Sequence, residues 1–384
     1  MQSRRPRARG AGPARPRTPN VGRGGAGEVG TRISRTARDR VRAGDGRGPQ
    51  MRIATYNVHM LTGHPSDGRR PDAWQGQQVA SSASLESREC IEHFAHAFSR
   101  LRADVIGLQE GVPHAFMQPI ADALGMHIAT FPSPLGRYRG VSGTLYPWGA
   151  PGHILSRWPI LESRVWGHRE PGTAAGAGGS GGPVSSPIWD GLRARLRSKL
   201  GREPTDAEVT ALSLDEATAL FTRTAGAALL QLPGNTLLWV ANVHLHPNQP
   251  RLREQEGREL VRHLEALHAD TPHIILIGDM NSQVDETVHT VLRSSKLLGL
   301  CNAMEEVGDG LQGTSNPIGP ESGPAIDHIY VSASLRTALR SAEVVTGKGF
   351  HAANVDAVRR GKTWVHSDHM PVVCELKLGD GANL

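Results

Sequence analysis

The chain has 384 residues, 38% of them hydrophobic and 21% charged, enough for one large domain or two small ones around a sizeable core. It has no apolar run near the roughly 18–20 residues a bilayer requires, which excludes a spanning helix. The net charge of +6 is unevenly placed: residues 1–50 carry +10, with 13 Arg against 3 acids, and the remainder carries −4. Basicity suited to a polyanion is therefore confined to the N-terminal segment. Arginine outnumbers lysine 38 to 5, which reads as readily as a compositional bias as selection for guanidinium chemistry. The three cysteines, Cys90, Cys301 and Cys374, are too sparse for a disulfide framework or a zinc-type pair, and a reducing compartment follows. With no apolar h-region behind the Arg-rich start, the expectation is a cytoplasmic protein.

In chain order, residues 1–50 hold 10 Gly and few aliphatics, so they are expected to stay disordered. They read either as a nucleic-acid arm or as a dispensable extension, since a strand pattern starts at Met51. Strands are expected at 51–57, 104–108, 126–131, 152–156, 160–166, 225–232, 236–243, 273–278, 326–332, 341–346 and 370–378. Helices are expected at 84–102, 113–124, 251–269 and 285–295, where apolar residues such as Ile91, Phe94, Ala95 and Phe98 recur at helical spacing. This many strands, alternating with amphipathic segments, suits two packed mixed sheets covered by helices. Residues 168–224 break the rhythm with a Gly/Ala/Ser/Pro stretch and two charged helical segments, 189–200 and 205–221. They read as an insertion, either a lid or a solvated loop.

Polar clusters follow several of the apolar strands. A strand ending Asn57-Val58-His59 leads through a helix to one ending Gln109-Glu110. A second ending Asn242-Val243-His244 leads through a helix to one ending Gly278-Asp279-Met280-Asn281. Asp327 starts another apolar strand, and Ser367-Asp368-His369 precedes the last. Each group alone has a bland explanation as a turn residue, a cap or a satisfied core histidine. Together, carboxylates next to strands as apolar as Ile274-Ile275-Leu276-Ile277 are costly unless paired, hydrated or metal-bound. The oxygen-rich set Asn57, Glu110, Asp279 and Asp368 suits a hard cation such as Mg²⁺. Arg137, Tyr138 and Arg139 offer either a phosphate contact or a solvated turn, and the polar stretch 60–78 either lines the substrate side or is a surface loop.

The ordered series Thr55-Tyr56-Asn57, Leu108-Gln109-Glu110, Asn242-Val243-His244, Gly278-Asp279-Met280-Asn281, Ile326-Asp327 and Ser367-Asp368-His369 resembles the endonuclease/exonuclease/phosphatase superfamily from about Met51 to Leu378. The resemblance implies an α/β fold, a four-layer sandwich of two packed mixed sheets flanked by helices. It spans one domain, 51–378, with the insertion at about 168–224 and a short tail at 379–384. It also implies a phosphoesterase in which Asn57 and Glu110, with Asp368, hold Mg²⁺, Mn²⁺ being the alternative. Asp279 would activate the attacking water and Asn281 position it. His369 would contact the phosphate, oriented by Asp327, and His244 would stabilise developing charge or serve the leaving group. Asn242 and Tyr138 would touch substrate.

The expected partner is a phosphoester substrate, with nucleic acid as the alternative and no obligate protein partner. Nuclease branches often place Arg before the strand Asp and Tyr after it. Here Ala325 and His328 flank Asp327, and the body lacks a basic footprint, so a phosphodiesterase or phosphatase ranks above a nuclease. A binuclear zinc hydrolase is disfavoured because Asn248-Gln249 follows His244-x-His246 where Asp-His would be needed. A calcineurin-like phosphatase lacks its Gly-Asn-His. A binding protein acting through the arm is the non-enzymatic rival.

Overall fold

The computed structural model describes residues 50–63, 86–132, 138–139, 145–146, 150–166, 194, 196–198, 200–205, 208, 221, 223–360 and 363–378. The expected disorder of 1–50 before Gln50, most of the insertion and the 379–384 tail lie outside them.

Fourteen strands are described: β1 (Gln50–Asn57), β2 (Val105–Gln109), β3 (His127–Phe131), β4 (Tyr138–Arg139), β5 (Leu145–Tyr146), β6 (Gly152–Ser156), β7 (Ile160–Val165), β8 (Ala225–Gln231), β9 (Leu237–His244), β10 (Ile274–Asp279), β11 (Cys301–Asn302), β12 (Asp327–Val331), β13 (Leu339–Val344) and β14 (Val372–Lys377). Twelve of them form two six-stranded mixed sheets, ordered β13-β14-β1-β2-β6-β3 and β11-β12-β10-β9-β8-β7, while β4 and β5 pair separately. With the second order reversed, the two correspond strand for strand, β1 with β9 and β2 with β10. In each sheet the central pair, β1/β2 or β9/β10, is parallel and the other pairs are antiparallel. The short echo between the Asn-Val-His segments thus has a topological counterpart. Helix α1 (Arg88–Ser99) crosses between parallel β1 and β2, and α2 (His114–Leu124) follows β2; α3 (Pro250–Leu267) crosses between parallel β9 and β10, and α4 (Thr287–Arg293) follows β10. The first two serve the first sheet, the last two the second.

Alternation of side chains along each strand explains the layering. On β1, Met51 and Ile53 enter the space between the sheets, while Ala54 and Tyr56 face Phe94, Phe98, Met117 and Ile120 of α1 and α2. On β9 and β10, Leu238, Val240, Ile275 and Ile277 face inward, and Trp239, Ala241, Ile274 and Leu276 meet Leu260, Leu264, Val288 and Leu292 of α3 and α4. The result is helix, sheet, sheet, helix. Each fully buried Val, Leu, Ile, Met or Phe among them contributes on the order of 1.5–3 kcal/mol. Gly107 marks a close approach of the two sheets, since a Cβ there would sit 2.3 Å from Ile277 Cδ1. Ser87 caps α1 through its side chain, which accepts from Cys90 N.

The expected elements match the observed ones to within a few residues. Strands β9 and β10 each run one residue further than expected, because the ladder continues through the pairs His244–Asp279 and Asp279–Asp327. Backbone pairing does not stop where the side chains turn polar. The two-residue strands and the short helices Ala303–Val307, Ala333–Arg336 and Val355–Arg359 carried no periodic signal.

Two buried histidines tie outer layers to the sheets as neutral rings. His153 is bonded to Thr130 Oγ1 and Val112 O, and His289 to Tyr330 Oη and Ser282; burial lowers both to about 3 from 6.5. A histidine held neutral in the fold but free to take a proton when unfolded stabilises the fold fully above its unfolded value. That contribution is lost as pH falls from 6.5 toward 3. At pH 5 the loss is about 2 kcal/mol per ring. The urea midpoint is therefore expected to drop steeply between pH 7 and pH 5, and a flat midpoint over that range would contradict the assignment.

Candidate active site

The inward-facing positions of the central strands are apolar over most of their length and turn polar toward one rim, Thr55 and Asn242 one step before it. Asn57 ends β1, Gln109 ends β2 just before Glu110, His244 ends β9, Asp279 ends β10 and Asp327 opens the antiparallel β12. The loop 367–369 before β14 joins them. The site thus caps the layer between the sheets, with groups from both.

Asp279 is its hub. Its Oδ2 accepts from Asn57 Nδ2 at 2.9 Å and lies 3.5 Å from His244 Nε2 and 3.7 Å from His369 Nε2; its Oδ1 accepts from Asn281 N at 2.9 Å. His369 Nδ1 donates to Asp327 Oδ2 at 2.8 Å, which fixes the orientation of the ring. His244 Nε2 is 3.8 Å from Glu110 Oε1. Asp368 Oδ1 is 3.7 Å from His59 Nδ1 and 3.2 Å from Ser367 Oγ. The Ser367 hydroxyl also lies 2.6 Å from Asn57 O, binding the last loop to β1.

Backbone geometry at this rim is unusual. His59, Met60, Leu61, Glu110 and Asn281 all take positive φ, a conformation costing roughly 1–2 kcal/mol per non-glycine residue. The cost is offset by bonds such as Met60 N to Glu110 O and His59 N to Asn57 Oδ1. Gly278 has φ +153°, and a Cβ there would lie 2.0 Å from Val243 O, so only glycine lets Asp279 follow in register with His244.

The two imidazoles at Asp279 are driven to opposite charge states. Burial lowers His244 well below its ordinary value, helped by the positive charges of Arg223 and His369. Burial also opposes charge on His369, but Asp327 and Asp279 outweigh it and raise that ring well above its ordinary value. Asp279 is raised to about 7, by burial first and then by Asp327, against the pull of His369 and Asn57. Burial works against the charge on Asp368 too, yet His59 and His369 hold its carboxyl below the usual range. The site therefore sets a cationic imidazole and a neutral one on either side of a carboxylate poised near neutrality.

Nine of the ten candidate residues have described side chains. Asn57, Glu110, His244, Asp279, Asn281, Asp327, Asp368 and His369 gather at the rim. Asn242, expected to touch substrate, lies beneath it: Nδ2 donates to Leu108 O and His153 O, and Oδ1 accepts from Gln109 Nε2, so its carboxamide clips the two sheets together. Tyr138 falls on β4, and its side chain, with Arg137, lies outside the described set. Sequence reasoning missed Thr314, whose hydroxyl donates to Asp327 Oδ2 at 2.6 Å and accepts from Ile326 N and Asp327 N. It sits in a loop without a periodic pattern.

The residues suit a hard divalent cation. Among the described residues the carboxylate of Glu110, 9% exposed, receives no hydrogen bond, and Asp327 Oδ1 is buried without a partner. The acid and imidazole groups close enough to share an ion as they stand are Asp279, Asp327 and His369, all within 4.8 Å, rather than the expected Glu110 and Asp368. Because Asp327 Oδ2 is already engaged by His369 and Thr314, the tight cluster also reads as a proton-handling group.

Residues 54–349 match the model of the Endonuclease/Exonuclease/phosphatase family, and the chain belongs to that family. No match is found among curated proteins. The fold is similar to a mannosyl-6-phosphatase of Bacteroides thetaiotaomicron (18% identity, TM-score 0.54, covering 85% of this chain and 99% of that one). It is also similar to an endonuclease/exonuclease/phosphatase family protein of the same organism (17%, 0.52, 86% and 98%) and to a protein of unknown function from Enterococcus faecalis (16%, 0.51, 84% and 98%). Identities this low show the fold. Among the described residues no helix is long and apolar enough to cross a membrane.

In Asp327→Asn the carboxylate that raises His369 is gone while the side-chain shape is kept. The His369 ring, followed by NMR, is expected to titrate at distinctly lower pH than in the parent; an unchanged titration would show that Asp327 does not set its charge.

Proposed function

We propose that the chain is a divalent-metal-dependent phosphoester hydrolase, a phosphodiesterase or phosphatase in which water attacks phosphorus directly. The observation that supports this most is Asp279, a buried carboxylate raised to about 7, held between Asn57, a neutral His244 and a cationic His369. A base with that affinity accepts a proton from water near neutral pH without being permanently protonated.

Asn57, Glu110 and Asp368 are the residues that would hold the cation, Mg²⁺ with Mn²⁺ as the alternative. When bound it would neutralise charge building on the phosphoryl oxygens. Asp279 takes the proton of the attacking water. Asn281, whose Nδ2 is engaged with Leu245 O, keeps its carbonyl oxygen as a further acceptor for that water. The protonated Nε2 of His369 donates to a phosphoryl oxygen and stabilises the charge that develops there, while Asp327 keeps the ring charged and oriented. Neutral His244 serves the leaving-group side. Among the described residues no side chain at the site combines an exposed nucleophile with an adjacent base in the way covalent catalysis needs, so direct attack by water is the simplest reading.

The test is one substrate panel with Mg²⁺, Mn²⁺ or EDTA: bis-p-nitrophenyl phosphate, inositol phosphates, sphingomyelin, plasmid DNA, RNA and hexose 6-phosphates, the last because a mannosyl-6-phosphatase shares the fold. Turnover is expected with either cation and abolished by EDTA. His369→Ala and Asp279→Ala, folded as judged by circular dichroism, are expected to lose about 10²–10³ in kcat. Parent-like rates in either variant would overturn the assigned roles. The acidic balance of residues 51–384 favours small phosphoesters over polynucleotides.

A further inference from the structure

Behind the Asp279–Asn281 turn, side chains facing away from the cleft form a buried hydrogen-bond chain whose proton directions can be counted. Arg293 donates to Tyr330 Oη at 3.3 Å, and the same hydroxyl lies 2.7 Å from His289 Nδ1. Nε2 of His289 lies 2.9 Å from Ser282 Oγ and 3.2 Å from Ser282 O, and because that carbonyl can only accept, the ring carries its proton on Nε2 and, being neutral, accepts from the Tyr330 hydroxyl on Nδ1. Ser282 Oγ spends its own proton on Met280 O at 3.0 Å, so towards His289 it is an acceptor. In parallel, Asn302 Nδ2 donates to His328 Nδ1 at 3.1 Å, which places the His328 proton on Nε2, 2.9 Å from Ser282 O. Two imidazole N–H groups therefore converge on the carbonyl of Ser282, and a hydroxyl anchors the carbonyl of Met280. Both rings are buried and, with an acceptor Nδ1, both must be neutral; burial holds each below its ordinary value.

The residue between those carbonyls is Asn281, a non-glycine residue at φ +50° whose amide donates to Asp279 Oδ1. Left free, that turn would relax toward a right-handed conformation and take the amide away from the carboxylate. We propose that His328 and His289 are positioning residues: a two-imidazole clamp on the Ser282 carbonyl that holds Asn281 in its left-handed conformation and so fixes the orientation of the Asp279 carboxylate. They do not touch substrate. The inference rests on the proposed role of Asp279 for its kinetic consequence, but the clamp itself is independent of any substrate. It also gives a physical role to His328, which occupies the place where nuclease branches of the family often carry Tyr.

The test separates positioning from plain structural support. In the parent protein, ¹⁵N spectra of the rings are expected to show neutral Nε2–H tautomers for both His289 and His328; an Nδ1–H tautomer in either would overturn the clamp. In His328→Ala the Asn281 amide is expected to exchange with solvent at least about 10-fold faster, at a temperature where global unfolding is negligible. On whichever substrate the parent turns over, kcat is expected to fall about 10-fold or more with KM within about two-fold, since a small misplacement of a reacting group is costly. His328→Gln, which restores a donor, recovers most of that loss. The same His328→Ala change in an Asn281→Ala background is expected to lower kcat much less, because the two act through one turn. Equal losses in both backgrounds, or unchanged kcat with only a lower melting temperature, would reduce the clamp to ordinary packing. Parent protein inactive on every substrate would instead refute the proposed function, leaving the tautomer and exchange measurements to decide the clamp.

Discussion

The structure depends on one constraint: the space between two sheets must be apolar along its length, yet at one rim it must hold charge. Ile275 and Ile277 of β10 and Val240 of β9 occupy the same inward-facing rows that end in Asp279 and His244. A carboxylate at the end of such a row loses most of its hydration, a cost of several kcal/mol unless neighbours compensate. Asn57, Asn281, His244 and His369 surround Asp279 for that reason. The elevated affinity of Asp279 for a proton follows from placing a carboxylate at the edge of a hydrocarbon layer, and the reactivity proposed for it is the same fact seen chemically.

The same constraint explains why the site needs both sheets. Asn57 comes from β1 and the 367–369 loop from the start of β14, in the first sheet, whereas His244, Asp279 and Asp327 belong to the second. Contacts across the gap, Asn57 to Asp279 and His369 to Asp327, are therefore bonds between sheets as much as elements of a site. Asn242 and Gln109 reinforce them one layer down. Relative sliding of the sheets is resisted where alignment of the reacting groups matters, which is a form of preorganisation.

Much of this was legible in the sequence because its signals are periodic or terminal. Alternating apolar residues gave the inward rows, and the polar residue that ended each row marked the rim; Asn57, Asp279 and Asp327 were visible on that basis. The echo of Asn-Val-His is matched by two sheets of equivalent strand order. What could not be read were contributions from irregular backbone. Thr314 sits in a loop with no pattern, and nothing local says that its hydroxyl meets Asp327 thirteen residues on. The carboxamide of Asn242 bonds to the opposite sheet, and one letter at a strand end does not reveal whether such a group faces solvent or that sheet.

His328 illustrates the limit from the other side. Alternation alone puts it on the face of β12 opposite to Asp327, away from the cleft, where a histidine would ordinarily be counted as satisfied core. Only the complete set of donors and acceptors shows that the ring cannot be exchanged for any hydrophobe of similar volume. Replacing it leaves the Ser282 carbonyl with one donor fewer in a dry environment, and the strain stored at Asn281 with less to oppose it. Buried polar groups of this kind contribute little net stability compared with well-packed apolar ones. What they supply is a single geometry for the turn that carries Asp279, which a purely apolar contact, being non-directional, does not specify.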